Sequence, residues 1–282
     1  MKTRRTYDSE YGNLLWMSNG NIEVAAALDY GLRIVILRYD GSDNMLYRQP
    51  DDLSDGLTTE KGWRLYGGHR FWISPESDAS YYPDNDPIGY TVENECVLLT
   101  QKTDPWTGFK KQFRLSFCNN EKLMIEHILT NCNRHSVKAA VWGITTLKGG
   151  GVAKIPYTGK DGGYSPNRSL SLWFNTSLED SRLSFEEDSI VGRHIPCENK
   201  LKIGAYAPGG KIFFENNLRR LEISFTPHPM NKYPDNGSNV ELFLNKHFTE
   251  LETLGVSREL APGETLNHAE YWRIFKTVFQ DR

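Results

Sequence analysis

The stretch Phe248 to Leu254 reads Phe-Thr-Glu-Leu-Glu-Thr-Leu, and this alternation puts Glu250 and Glu252 on one strand face with Phe248 and Leu254. Two carboxylates at i and i+2 lie roughly 7 Å apart on a strand. On a covered face they repel unless each holds a partner of its own. A carboxylate in such a place can have a raised pKa and act as a general base. On a plain outer face the same pattern is a solvated acidic pair.

A second constellation is Tyr66-Gly67-Gly68-His69-Arg70-Phe71-Trp72. The glycines allow a sharp turn, and the extended chain after them points Arg70 and Trp72 to one face, His69 and Phe71 to the other. A guanidinium beside an indole suits a sugar, because Arg donates to hydroxyl oxygens while the ring covers a C–H face. The competing reading is a structural Arg stacked on Trp and paired with a carboxylate. His69 by itself reads as a buried histidine with satisfied hydrogen bonds. His228, between Pro227 and Pro229, is expected in a stiff loop at a strand end, where it either meets a ligand or caps the sheet.

The elements that must position these groups read as strands nearly throughout. Ile22 to Leu28, Arg33 to Tyr39, Leu221 to Thr226, Val240 to Asn245 and Glu270 to Thr277 alternate or run apolar between turn signals. Phe113 to Phe117 and Leu123 to Thr130 form an expected hairpin about Asn119-Asn120. Lys200 to Tyr206 and Lys211 to Glu215 form another about Pro208-Gly209-Gly210. Ser74 to Tyr90 and Lys148 to Asn167 read as long loops, and loops of that length are often functional. Many short strands in series predict a large all-β sandwich, with residues 1–282 as a single domain.

Composition removes several classes of function. With 33 Lys and Arg against 36 Asp and Glu, a formal charge of -3 gives no reason to expect nucleic acid or an anionic membrane as partner. No apolar run reaches the ~20 residues needed to span a bilayer. Cys96, Cys118, Cys132 and Cys197 are too scattered for a zinc site of the usual spacing, so no metal is expected. Met1 to Met17 lacks a secretory apolar run, so reduced, mostly buried thiols in the cytoplasm are expected. The Gly-rich Lys148 to Lys154 lacks phosphate-loop spacing and reads as a turn, which leaves no cofactor motif.

Taken in order, these pieces resemble the aldose 1-epimerase (galactose mutarotase) superfamily. The likeness begins with Asn19 to Val24, then Gly31-Leu32-Arg33-Ile34 and the following Asn44. It continues through Gly67-Gly68-His69-Arg70-Phe71-Trp72 with Pro75-Glu76, which is similar to an uncharacterised branch of that superfamily. Glu250 to Gly255, Leu260-Ala261-Pro262-Gly263-Glu264 and Glu270-Tyr271-Trp272 then resemble its ending.

The resemblance implies a β-supersandwich of two large antiparallel sheets and a small carbohydrate as partner. It also implies that a glutamate takes the anomeric proton while a histidine protonates the ring oxygen. It puts the base on Glu252 and a sugar-binding arginine on Arg70. The stretch matching the family's acid histidine runs from Leu129-Thr130-Asn131 through Ala139 to Thr146, and Trp142 or a neighbour holds that position. The family's second histidine has no counterpart; Ser80 to Asn85 lies nearby. Two functions therefore stand as expectations. One is an isomerase with Glu252 as base and His69 or His228 as acid. The other is a non-catalytic sugar-binding protein in which Trp72, Trp142 and Tyr82 stack the ligand and Glu250 contributes to binding.

Overall fold

The computed structural model describes residues 1–51, 62–157, 163–164, 167–216 and 219–276. These residues form strands β1 Lys2–Asp8, β2 Gly12–Ser18, β3 Ile22–Ala27, β4 Arg33–Tyr39, β5 Gly68–Ser74, β6 Gly89–Glu93 and β7 Cys96–Thr100. They continue with β8 Phe109–Asn119, β9 Lys122–Asn131, β10 Val137–Lys148, β11 Val152–Pro156, β12 Leu170–Leu172, β13 Leu183–Phe185 and β14 Ser189–Arg193. The last seven are β15 Leu201–Ala205, β16 Lys211–Glu215, β17 Arg219–Ser224, β18 Val240–Leu244, β19 Phe248–Leu254, β20 Arg258–Leu260 and β21 Thr265–Lys276.

They assemble into two large antiparallel sheets. The first runs β1-β2-β3-β4-β5-β10-β19-β18-β15-β12, with β20 added beside β10. The second runs β13-β14-β11-β16-β17-β21-β9-β8-β7-β6. The expected all-β sandwich is the architecture observed.

The period-two pattern decides which face each strand buries. Phe71, Val141, Leu242 and Leu251 of the first sheet pack with Phe113, Leu129, Ile223 and Trp272 of the second in one apolar core. Their sequence neighbours turn outward, and there Trp63, Leu65, Trp72, Trp142, Ile144, Phe248 and Leu254 form a second apolar cluster. Arg70, Glu250 and Glu252 share this outer face.

Two local features set β5 in place. Gly67 and Gly68 both have positive φ, at 82° and 73°. A Cβ on Gly67 would lie 2.1 Å from the Tyr47 carbonyl oxygen, and one on Gly68 would lie 2.4 Å from that of Ile34. Asn44 fixes the chain after β4: its carboxamide accepts from the Leu37 and Leu46 amides and donates to the Val35 carbonyl.

Three expectations need correction. The hairpin between Lys200–Tyr206 and Lys211–Glu215 does not form. β15 pairs with β12 and β18 in the first sheet, whereas β16 pairs with β11 and β17 in the second. The turn at Pro208 to Gly210 crosses between layers, and alternation cannot distinguish that from folding back in one sheet. The loop expected over Lys148 to Asn167 contains β11, whose Ala153 and Ile155 fill the core. Residues 158–162 and 165–166 of that loop, and Thr277, lie outside the described residues. Finally, none of the four free thiols is buried: Cys118 and Cys132 are exposed, Cys96 and Cys197 half-buried.

Candidate ligand site on the outer face of the first sheet

β5, β10, β19, β18 and β15 lie side by side, and their registers place the site residues in rows across the sheet. One row runs Arg70, Ile144, Glu252, Glu241, Gly204. The next runs Gly68, Thr146, Glu250, Phe243, Lys202. Trp72 and Trp142 are directly opposed at the other side of the first row. Above these rows is a pocket of about 290 Å³ walled by Trp63, Trp72, Tyr81, Trp142, Trp173 and Phe248. Trp72 packs edge to face on Trp142 at 5.5 Å, and Trp63 lies tilted against Trp72 at 5.6 Å, so the aromatic walls brace one another.

The charges are paired in the pocket floor. Arg70 Nη1 donates to Glu250 Oε1 at 2.7 Å and to Thr146 Oγ1 at 3.2 Å, and the Thr146 hydroxyl donates to the same Glu250 oxygen at 2.9 Å. The Arg70 guanidinium also lies 4.8 Å from the Trp72 ring centre. Glu252, 1% exposed, accepts from Trp142 Nε1 at 2.7 Å and from Lys202 Nζ at 3.0 Å. Lys202 Nζ is also 2.8 Å from Glu241 Oε2 and stands over the Trp142 and Trp173 rings.

Burial alone would push the Lys202 ammonium down. The Glu252 and Glu241 carboxylates outweigh it and hold the group well above the ordinary lysine range. Burial pushes Glu241 well up, Lys202 pulls it back and the adjoining Glu252 pushes it further.

Glu252, Glu250, Arg70, Trp72 and Trp142 are thus brought together. Three other candidates are not. His69 alternates with Arg70 and points into the interlayer core, where it is fully buried. The strand's period of two excludes it from the face that carries Arg70. His228 sits exposed in the loop after β17, its backbone held by Tyr233 and Tyr206 hydroxyls, and takes no part in the pocket lining. Neither histidine lines the pocket beside Glu252. Tyr82 lines a different pocket, while its neighbour Tyr81 faces the indoles of Trp63 and Trp72.

The sequence reading missed Lys202 and Glu241, which face the site from strands it could not order. Its one available signal was a charged residue set within the apolar runs Leu201–Ala205 and Val240–Leu244.

His69 belongs to a polar cluster between the sheets. His127 Nδ1 donates to the His268 carbonyl at 3.0 Å, so its Nε2 accepts, and His69 Nε2 donates to it at 2.9 Å. The Thr145 hydroxyl completes the set at His69 Nδ1, 3.0 Å away. Glu270 accepts from Thr253 Oγ1 at 2.5 Å and Trp272 Nε1 at 2.7 Å. Burial holds His69 down at about 3 and His268 at about 4, and pushes Glu270 up to about 7 against the Thr253 and Trp272 hydrogen bonds. Ligand-type atoms of His69, His127 and Glu270 lie within 4.8 Å of one another, a metal-compatible grouping gathered from three separate strands. Sequence spacing gave no sign of it. The hydrogen bonds described already satisfy the imidazole nitrogens of His69 and His127.

No protein-family profile matches the sequence, and no curated protein matches it. Solved structures do match. A galactose mutarotase-like protein from Lactobacillus casei superposes with a TM-score of 0.57 at 9% identity, over 93% of this chain and 100% of that one. One from Clostridium acetobutylicum gives 0.53 at 10% identity, over 98% and 99%. A TPR-domain containing protein from Parabacteroides distasonis gives 0.65 at 13% identity; 95% of this chain matches, but it spans only 48% of that protein. At these identities the likeness establishes the fold, which is that of the galactose mutarotase-like proteins.

Proposed function

We propose that this chain, built on the galactose mutarotase-like fold, binds a small carbohydrate in the outer-face pocket and interconverts its anomers with Glu252 as the base. The supporting observation is the position of Glu252: buried, beside the Trp142 indole, in a sheet row with Arg70 and under an aromatic enclosure. Aromatic walls match the C–H faces of a pyranose, and Arg70, Glu250 and Glu252 supply donors and acceptors for its hydroxyls. In this reading Glu252 takes the anomeric proton, the ring opens, the aldehyde end rotates and the ring recloses. Lys202, 3.0 Å from Glu252, returns a proton to the ring oxygen. An ammonium held above its ordinary pKa is a weak acid, so turnover is slow compared with an enzyme that uses histidine.

One observation favours the second reading, a sugar-binding protein without turnover. Of the three carboxylates lining the pocket, Glu250 pairs with Arg70 and Glu252 with Lys202 while Glu76 accepts from the Tyr81 hydroxyl, and no histidine among the described residues lines it. A panel including glucose, galactose and their 6-phosphates separates the readings. Ligand-observed NMR line broadening reports binding, and the relaxation of freshly dissolved α-anomers reports turnover. Binding with accelerated relaxation supports the isomerase, binding without it supports the second reading, and neither on any sugar removes both.

A further inference from the structure

A separate pocket of about 240 Å³ lies beside β5, lined by Trp72, Ser74, Tyr82, Asp84, Asp104 and Lys111 among others. It arises where the first sheet splays. β4 pairs with β5 only at Arg33–Arg70 and Ile34–His69, so Phe71 to Ser74 have β10 on one side and, among the described residues, no strand on the other. Lys111 reaches into this gap from β8 of the second sheet.

Its situation is unusual for a lysine. It is only 6% exposed, and its one described hydrogen bond goes to the Phe71 carbonyl at 3.3 Å. Buried lysines are nearly always paired with a carboxylate. The two acids that line the same pocket are committed elsewhere. Asp84 accepts two hydrogen bonds from Arg33, at 3.0 and 3.2 Å, and Asp104 caps the turn at Trp106 and Thr107. Among the described residues no carboxylate lies within ion-pair distance of the Lys111 nitrogen.

We propose that this pocket is a second ligand site, in which the Lys111 amine condenses reversibly with the carbonyl carbon of a small, uncharged hydroxyaldehyde or hydroxyketone. Burial pushes the ammonium below the ordinary lysine range, against Asp84 and Asp104 and with the help of Arg33, which favours the free amine. The Nζ lone pair adds to the carbonyl carbon, and the carbonyl oxygen takes a proton to give a carbinolamine. Loss of the hydroxyl with a nitrogen proton releases one water and leaves the C=N bond. One amine and one carbonyl give one imine and one water, with no change in oxidation state. The Tyr82 hydroxyl is available to the ligand's own hydroxyls, while Asp84 and Asp104 disfavour an anionic ligand.

The test is reductive trapping. The intact protein is exposed briefly at pH 7 to dilute glycolaldehyde with cyanoborohydride, and adducts are mapped by peptide mass spectrometry. Lys111 is expected to label ahead of every exposed lysine, and to saturate. Lys111→Arg, which keeps the charge and removes the nucleophile, is expected to lose the dominant adduct and retain the background. Labelling spread over the exposed lysines with Lys111 protected is the outcome for a purely structural lysine and overturns the proposal. The wild-type map decides this even if the variant fails to fold.

Discussion

Arg70 reaches Glu250 across β10 at 2.7 Å, with the Thr146 hydroxyl bonded to both. In register it is Glu252, not Glu250, that lies in Arg70's row. The guanidinium therefore takes the carboxylate two residues along and leaves Glu252 to Lys202 and the Trp142 indole. Two same-face carboxylates, which would repel if left alone, are held by different cations from different strands.

Breaking this arrangement should be costly and reparable. Arg70→Met leaves Glu250 buried without a cation, for an expected loss of about 3–5 kcal/mol in unfolding free energy. Adding Glu250→Gln removes the stranded charge and should recover most of the loss. Denaturant unfolding of the single and double variants measures this. A double variant no more stable than Arg70→Met contradicts the pairing.

Acid should destabilise the interlayer cluster with a definite sign. His69 at about 3, His268 at about 4 and His127, also held low, all lie below the ordinary 6.5. Their contribution is present above pH 6.5 and is lost as pH falls toward the folded values. Glu270, raised from 4.5 to about 7, has the opposite sign: its contribution is present below 4.5 and lost as pH rises through 7. Between pH 6.5 and 4.5 the histidines outnumber it. Stability should therefore fall with acid, by up to about 1.4 kcal/mol per pH unit for each excess proton. His268→Gln should make the profile shallower and Glu270→Gln steeper, read from denaturant midpoints across that range. A flat wild-type profile contradicts the assignment.

Gly143 offers a test of the same cluster that needs no titration. A Cβ there would lie 2.5 Å from Glu270 Oε1 and 3.0 Å from His127 Nε2. Gly143→Ala should cost about 1–3 kcal/mol through overpacking. Relief of that cost by Glu270→Ala in the same chain would locate the clash; an unaffected Gly143→Ala melt would exclude it.

Trp142→Phe keeps a ring in the pocket wall and removes the indole donor to Glu252. Sugar binding should weaken only modestly, by about 1 kcal/mol for a lost hydrogen bond. Trp142→Ala should weaken it further, by about 1–2 kcal/mol more through the lost ring contact. Titrations followed by NMR compare the two. Equal affinity for Trp142→Ala and wild type would remove Trp142 from the binding face.

Much of this was legible in the sequence because strand alternation is a local rule. It separates Arg70 and Trp72 from His69 and Phe71, and it puts Glu250 and Glu252 with Phe248 and Leu254. Illegible was whatever depends on which strands become neighbours. Lys202 and Glu241 meet Glu252 only because β15, β18 and β19 are adjacent, and nothing within Leu201–Ala205 or Val240–Leu244 specifies that order. The two histidines expected as acids lie away from the pocket for different reasons. His69 has the wrong parity on its strand, a point the alternation already contained. His228 lies in a loop whose destination no local rule supplies. The crossing at Pro208 to Gly210 is the same lesson, since a tight turn serves a hairpin and a change of layer equally well.

The most direct test of the account is the rate at which freshly dissolved α-anomers relax to equilibrium, followed by polarimetry or NMR, for wild type and Glu252→Gln. The account predicts acceleration on at least one sugar of the panel, reduced by about 10²–10⁴-fold in the variant, with binding still measurable. Acceleration that survives in Glu252→Gln, or its absence for every sugar that binds, would contradict the assignment of Glu252 as the base.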